Sequence, residues 1–290
     1  MSRIKITPSL CIKCGACVLS CPRTIFIQHT KESVPDIAQE ELCNLCGHCV
    51  AICPQEAISH RDFPQGSIKP VNQEIIPSAG QIMEIIKARR SIRAFREKPV
   101  EKEIIEKIID GARFAPSAHN TQSTKFVVIQ DKVVLNRIVE LTAFSFAKIV
   151  RQLQNPVIKM LFLVLARKKV KGLLHSLPIF HRIVNAVHNG KDPILHNAPV
   201  LLIFHADKSI VFSDVNATLA LNNASLISHA LGLGSFYAGY VVAACCRDNS
   251  IHGLFSIPKN HQIYGALALG YPKFKYENWI ERKPAQIEWL

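Results

Sequence analysis

CIKCGACVLSCP at residues 11–22 and CNLCGHCVAICP at 43–54 are one dodecad written twice, offset by 32 residues. Each copy spaces its cysteines C-x2-C-x2-C-x3-C and follows the last with proline. Thiolates at such short gaps can wrap one corner of an iron–sulfur cubane, while the fourth, ahead of the proline, is carried to a second centre. Gly15 and Gly47 hold the same place in both copies, where a tight turn against cluster sulfides is needed. Zinc sites pair two C-x2-C knuckles into a set of four and would leave half of these cysteines without a purpose. A disulfide framework needs an oxidising compartment, and the opening MSRIKITPSLC holds no apolar signal segment. Two [4Fe-4S] clusters in a reduced, intracellular setting are the expectation.

The stretch resembles the bacterial-type 2[4Fe-4S] ferredoxins over about 60 residues, with no departure in the cysteine pattern. The resemblance implies crossed ligation, with Cys11, Cys14, Cys17 and Cys53 around one cluster and Cys43, Cys46, Cys49 and Cys21 around the other. A small domain that moves single electrons is expected over residues 1–62, closed by a strand at Ala57–His60. Pro64, Gly66, Pro70 and Pro77 then punctuate a linker at 63–78, ahead of a larger domain over 79–290.

In that larger part, apolar spacing predicts helices over Gln81–Arg90, Val100–Phe114 and Asp214–Gly234, and strands at Lys125–Gln130 and Ala266–Gly270. The first helix ends in Arg89-Arg90-Ser91-Ile92-Arg93-Ala94-Phe95. Three cations and a hydroxyl within five residues suit a phosphate with an attached polar chain. They equally suit a solvated helix end favoured by the macrodipole. A small polar loop, Ala115-Pro116-Ser117-Ala118-His119-Asn120-Thr121-Gln122, sits where ligands commonly bind. Cys245 and Cys246 have no ligand spacing and are expected to be buried small apolar residues.

RRSIRAF at 89–95, APSAHNTQ at 115–122 ahead of KFVVI, LGLGSFYAGY at 231–240 and LGYPKFK at 269–275 together resemble the nitroreductase family of flavoproteins. The resemblance covers about residues 79–140 and 193–276. It implies an α+β fold with a mostly antiparallel central sheet flanked by helices, and an intertwined homodimer that binds FMN at its interface. It assigns Arg89, with Arg90, to the FMN phosphate and Ser91 to phosphate and ribityl. Arg93 would lie at the flavin N1/O2 edge, where a cation stabilises the reduced anion and raises the potential. Asn120 would contact the ring edge, with Ser117 and Gln122 beside it. Ala238 and Gly239 would turn backbone toward N5 and O4, and Lys273 or Lys275 would reach the phosphate. No catalytic side chain is named, since proton and hydride delivery would come from the flavin. Gln122-Ser123-Thr124 departs from the Gln-Pro-Trp of many relatives.

The net charge of +13 is unevenly placed. Residues 1–62 balance six Lys/Arg against six Asp/Glu, whereas 141–191 hold nine Lys/Arg and no carboxylate. The latter segment reads as a basic helical insertion. A lid or dimer arm over the flavin is the preferred reading, ahead of a docking face for an acidic electron donor or a helix on a membrane surface. Nucleic acid is not an expected partner, because no recognition motif accompanies the charge. The longest apolar runs, Met160–Ala166 and Val241–Cys246, fall far below the ~18 residues a membrane span needs, so a cytoplasmic protein is expected. The function expected is a flavo-iron–sulfur oxidoreductase. It would take electrons from a low-potential donor, a ferredoxin or NAD(P)H, through the clusters to FMN and on to a small organic acceptor of nitro, quinone or activated-alkene type. The alternatives are an NAD(P)H-fed reductase with the clusters as the way out, or a non-catalytic electron relay.

Overall fold

The 32-residue duplication is written into the backbone as well as the sequence. Left-handed φ angles recur in register at Lys13 (63°) and Leu45 (57°), Gly15 (72°) and Gly47 (74°), and Thr24 (50°) and Glu56 (49°). The computed structural model describes residues 2–156, 160 and 167–290. It divides into two units, Met1–Pro77 with Ala118–Thr121, and Ser78–Ser117 with Gln122–Leu290. The expected linker therefore counts with the first unit, where it forms short 3-10 turns at Gln65–Ser67 and Gln73–Ile75.

In the first unit, β1 (Ile4–Ile6) pairs antiparallel with a later strand, Ile58–His60, and β2 (Phe26–Ile27) with β3 (Asp36–Ile37). Two one-turn helices, α1 (Ala16–Ser20) and α2 (His48–Ile52), each start directly after the left-handed glycine of their repeat. Only glycine adopts that conformation without a Cβ penalty, so both cysteine loops turn at the same point. Ile4, Ile25, Phe26, Val50 and Ile58 form the core, with Cys49 among them. The strand Ile58–His60 is β4.

The second unit opens with α3 (Ala79–Ala88). Ser78 accepts from the Gln81 backbone N–H and Gln81 Oε1 accepts from that of Ser78, a full capping box. Then come α4 (Lys102–Arg113), β5 (Lys125–Ile129), α5 (Lys132–Gln154), α6 (Arg167–His188), β6 (Val200–Asp207), α7 (Ser213–Ala230), β7 (Gly234–Tyr237), α8 (Gly239–Cys245), α9 (Asn249–His252) and β8 (His261–Gly270). The strands form one antiparallel sheet in the order β5-β6-β8-β7.

Both faces of the sheet are buried. Leu201, Ile203, Ala266 and Ala268 pack with α5, α6 and α8, while Val200, Leu202, Phe204, Leu267 and Leu269 pack with α4 and α7. Successive residues point to opposite faces, so helices on both sides make each central strand apolar throughout. The α+β class with an antiparallel sheet flanked by helices is the one expected.

Three local expectations change. The helix placed over Asp214–Gly234 ends at Ala230. Gly232 turns the chain at φ +78°, and the supposed loop beyond contains the edge strand β7. The basic segment does not begin as a separate piece, because α5 runs through residue 141 and buries Phe146, Ile149 and Leu153 in the core. Residues 157–159 and 161–166 of that segment lie outside the described residues. Cys246 is exposed rather than buried, and Cys245 is half-buried, its thiol pushed up to about 12 chiefly by desolvation.

Residues 91–96 run along the edge of this sheet. Ser91 bridges Ser235, and the Ile92 N–H donates to the Ser235 carbonyl (3.0 Å). Gly234 permits the approach, since a Cβ there would lie 2.7 Å from the Ile92 side chain. Gly234→Ala is expected to cost about 1–3 kcal/mol through overpacking. Gly80→Ala, where a Cβ meets nothing nearer than 3.9 Å, is expected to leave the melting temperature unchanged or raise it. Equal melting temperatures for the two variants would count against the contact.

Candidate functional site

Each set of four cysteines can be traced separately. Cys11, Cys14 and Cys17 line one small cavity together with Cys53 from the other repeat. Desolvation raises the Cys17 thiol, and the sulfurs of Cys11 and Cys14 add to the shift. Burial pushes Cys49 up to about 11, and the sulfurs that add to it are Cys43, Cys46 and Cys21. Cys21 therefore keeps company with the second repeat and Cys53 with the first. Thiols this reluctant to ionise in water-poor surroundings need a cationic centre to become thiolates. Among the described residues no three His, Cys, Asp or Glu converge on a single metal ion. A cubane spreads its four thiolates more widely than one ion does, so the donor set fits clusters.

In the second unit a cavity of about 800 Å3 lies between β7, the start of α8, the face of α6 and residues 193–196. Of the predicted residues it gathers Arg93, Ala238 and Gly239. Phe236 is its hub. The Arg93 guanidinium stands 5.4 Å over its ring, His196 meets it edge-on at 5.4 Å and Phe95 stacks at 6.3 Å. Asp192 holds the turn that presents His196, its carboxylate accepting from the N–H groups of Ile194, Leu195 and Asn197. Burial lowers His196, the nearby Arg93 adds, and Asp192 opposes. No carboxylate lines this cavity among the described residues.

The other predicted residues are near in chain but not on that wall. Arg89 caps α3 and depresses His229, which burial already lowers. Arg90 lies 5.9 Å over the Tyr276 ring. The Lys273 N–H donates to the Ala94 carbonyl (2.9 Å), placing that lysine beside the arginine segment, whereas Lys275 pairs with Glu277 at 3.2 Å. Ser117 accepts from the Gln122 N–H (3.0 Å), and both line a smaller cavity against Asn216. Asn120 lies elsewhere. The excursion Ala118–Thr121 belongs to the first unit, where the Asn120 amide donates to the carbonyls of Asn44 (3.2 Å) and Leu45 (2.7 Å). Those carbonyls sit between Cys43 and Cys46. His119, Asn120 and Gln122 all carry positive φ, the kind of backbone strain that gathers at functional loops.

Sequence reading missed Arg182 and His196. Ile179, Arg182, Ile183 and Ala186 recur at one-face helical spacing, and all four line the cavity. That pattern was available in the sequence. His196 had no such signal, because its role depends on a turn built by Asp192.

A family profile described as the nitroreductase family matches residues 86–271, and one described as a 4Fe-4S dicluster domain matches residues 10–58. The chain is 26% identical over 195 residues to a putative NADH dehydrogenase/NAD(P)H nitroreductase of Methanothermobacter thermautotrophicus, covering 66% of this chain and 77% of that protein. A protein of the same description from Archaeoglobus fulgidus is 28% identical over 193 residues, covering 67% and 86%. In fold it is similar to a nitroreductase with bound FMN from Bacteroides fragilis (TM-score 0.52, 22% identity), across 71% of this chain and 95% of that one. Among the described residues no helix is long and apolar enough to cross a membrane. The chain belongs to the nitroreductase family, as an oxidoreductase that carries a 4Fe-4S dicluster domain in the same polypeptide.

Proposed function

We propose that the protein takes single electrons from a low-potential donor through two [4Fe-4S] clusters and delivers them by way of FMN to a small organic acceptor of nitro, quinone or activated-alkene type. When bound, the cubanes supply one-electron steps and the flavin supplies one- or two-electron reduction. The observation that carries the reading is the loop at 118–121. A resemblance to flavoproteins assigns this loop to the flavin, yet its Asn120 is bonded to the carbonyls between Cys43 and Cys46. The residue that the resemblance gives to the flavin is thus held within the first unit, against the second cluster's binding loop.

The chain's own residues divide the remaining work. Arg93 holds a fixed positive charge on the wall of the cavity, suited to the ring edge where negative charge develops on reduction. Arg89, Arg90 and Ser91 offer cations and a hydroxyl to the phosphate and ribityl chain. Lys273 suits that phosphate better than Lys275, whose ammonium is engaged by Glu277. Ala238 and Gly239 bring backbone to the wall. Arg182 adds a second guanidinium to its lining, so the cavity favours acceptors with electron-rich or anionic groups. A homodimer would cover apolar surface that a lone chain exposes, including Ile82, Met83 and Ile86 on α3 and Val215 and Leu219 on α7. Reduced thiols and clusters suit the cytoplasm.

An anaerobic reductive titration tests this, following flavin absorbance after addition of NADH, NADPH or a reduced ferredoxin. Fast bleaching by ferredoxin alone is expected. Fast bleaching by a pyridine nucleotide alone would reverse the current, in line with the names of the archaeal relatives. Arg93→Gln is expected to lower the flavin midpoint potential while flavin content holds. An unchanged potential would remove Arg93 from the ring edge.

A further inference from the structure

We propose that His60 is a positioning residue for the second cluster, donating a hydrogen bond from Nε2 to the sulfur of Cys43 and so raising that cluster's reduction potential. The inference rests on the ligand set assigned above to Cys43, Cys46, Cys49 and Cys21.

The geometry fixes which nitrogen carries the proton. His60 ends β4 and is 4% exposed. Its Nδ1 lies 3.1 Å from the backbone nitrogen of Asp62. A backbone N–H can only donate, so Nδ1 is the acceptor and the ring proton sits on Nε2. The Asp62 carboxylate is 3.6 Å from Nδ1, beyond hydrogen-bond reach, and is held by Arg3 at 3.2 Å. Nε2 then points at Cys43 Sγ, 3.5 Å away, within the longer reach of a bond to sulfur. Phe63 closes the arrangement. Its ring lies 4.7 Å from that of His60 and 3.5 Å from where a Cβ on Gly47 would stand, covering the Cys43–Gly47 loop. Shielding from water strengthens a hydrogen bond in such a place.

The duplication supplies an internal comparison. Thirty-two residues before His60, the first repeat carries Gln28. Its amide donates to the carbonyls of Lys13 (3.0 Å) and Ser33 (2.8 Å) rather than to a cysteine. The first cluster does receive a backbone donor, Ala57 N–H to Cys53 Sγ at 3.2 Å. Among the described residues the side-chain donor belongs to the second repeat. An N–H aimed at a thiolate sulfur stabilises the more negative, reduced cluster.

The test uses the reconstituted full chain in a redox titration followed by electron paramagnetic resonance. His60→Leu is expected to lower the potential of one cluster and leave the other in place. His60→Gln, which keeps an N–H near the position of Nε2, is expected to restore most of the shift. Protein labelled with 15N-histidine should show a nitrogen coupling on the reduced cluster that His60→Gln abolishes. This last readout stands even where the leucine variant does not fold. Unchanged potentials in His60→Leu, equal shifts in the leucine and glutamine variants, or a coupling that survives in His60→Gln would each overturn the proposal. Iron content that follows the wrong cysteines would instead overturn the ligand set.

Discussion

Cys21→Ala is expected to remove the cluster whose other ligands are Cys43, Cys46 and Cys49, and to leave the one held by Cys11, Cys14 and Cys17. Iron and acid-labile sulfide should fall to about half. The expectation runs against sequence proximity, since Cys21 is four residues from Cys17 and twenty-two from Cys43. Its ground is spatial: Cys21 stands with Cys43 and Cys46 among the sulfurs around Cys49, and Cys53 lines the cavity of Cys11, Cys14 and Cys17. With such ligation each repeat would lend one cysteine to the other, so a lost cluster would also cut a tie between repeats. The first unit has a small core with cysteines in it, and metal-binding energy in such a unit is folding energy. Cys21→Ala should therefore be more easily digested by protease than the parent protein. The resonance spectrum of the reduced protein decides the ligand set by comparison with Cys14→Ala. If both variants lose the same signal, ligation is not crossed. Cys245→Ala, far from either set in sequence and lacking ligand spacing, is the control that should keep full iron.

What the sequence made legible follows physical range. The cysteine repeat is local and chemically specific, and the backbone repeats with it to the level of paired φ angles. Amphipathic α4 was legible because one-sided burial leaves a period, whereas the α+β class rested on the resemblance carried by the four motifs. The strand β6, VLLIFHAD, left none, since it is buried on both faces and a continuous apolar run does not distinguish strand from helix. Apolar residues continue past Ala230, where Gly232 and β7 change the geometry without changing hydropathy, so the apolar pattern overruns the end of α7. The association of Ala118–Thr121 with the first unit was beyond reach of any pattern. It depends on Asn120 meeting two carbonyls seventy-five or so residues away, and a polar loop announces exposure, not its partner. Arg182 belongs to the charge excess of 141–191, while its spacing with Ile179, Ile183 and Ala186 makes it part of a face.

The second large effect expected is a loss of stability as pH falls from about 6.5 to about 4, arising from His205. This residue sits on β6 with 6% exposure, just past the irregularity between Phe204 and His205. Its Nδ1 lies 2.9 Å from that of His261 on β8. Two ring nitrogens can bond only if one donates and the other accepts, so the pair holds one proton between them. A further proton on His205 would charge a buried ring, while the Asp207 carboxylate lies opposite His261 in the register. Desolvation accordingly lowers His205 to about 4, and His261, His252 and Lys125 push in the same direction. With the folded pKa below the unfolded one, the unfolded chain binds the proton first on acidification. The stabilisation is then complete above about 6.5 and lost progressively down to about 4. A gap of this size sets an upper bound of about 3 kcal/mol, since repulsion from His261 contributes to it. Urea unfolding at several pH values across that window should show the slope, and His205→Phe should flatten it even if it lowers stability at neutral pH. An unchanged slope in that variant would locate the acid sensitivity elsewhere. Asp248 is the useful contrast. Its hydrogen bonds to Ser250 and to Lys148 hold it near about 2, so its contribution is lost only below about pH 4. The two effects therefore occupy separate ranges, and the part of a loss at pH 5 that His205→Phe removes belongs to the histidine pair.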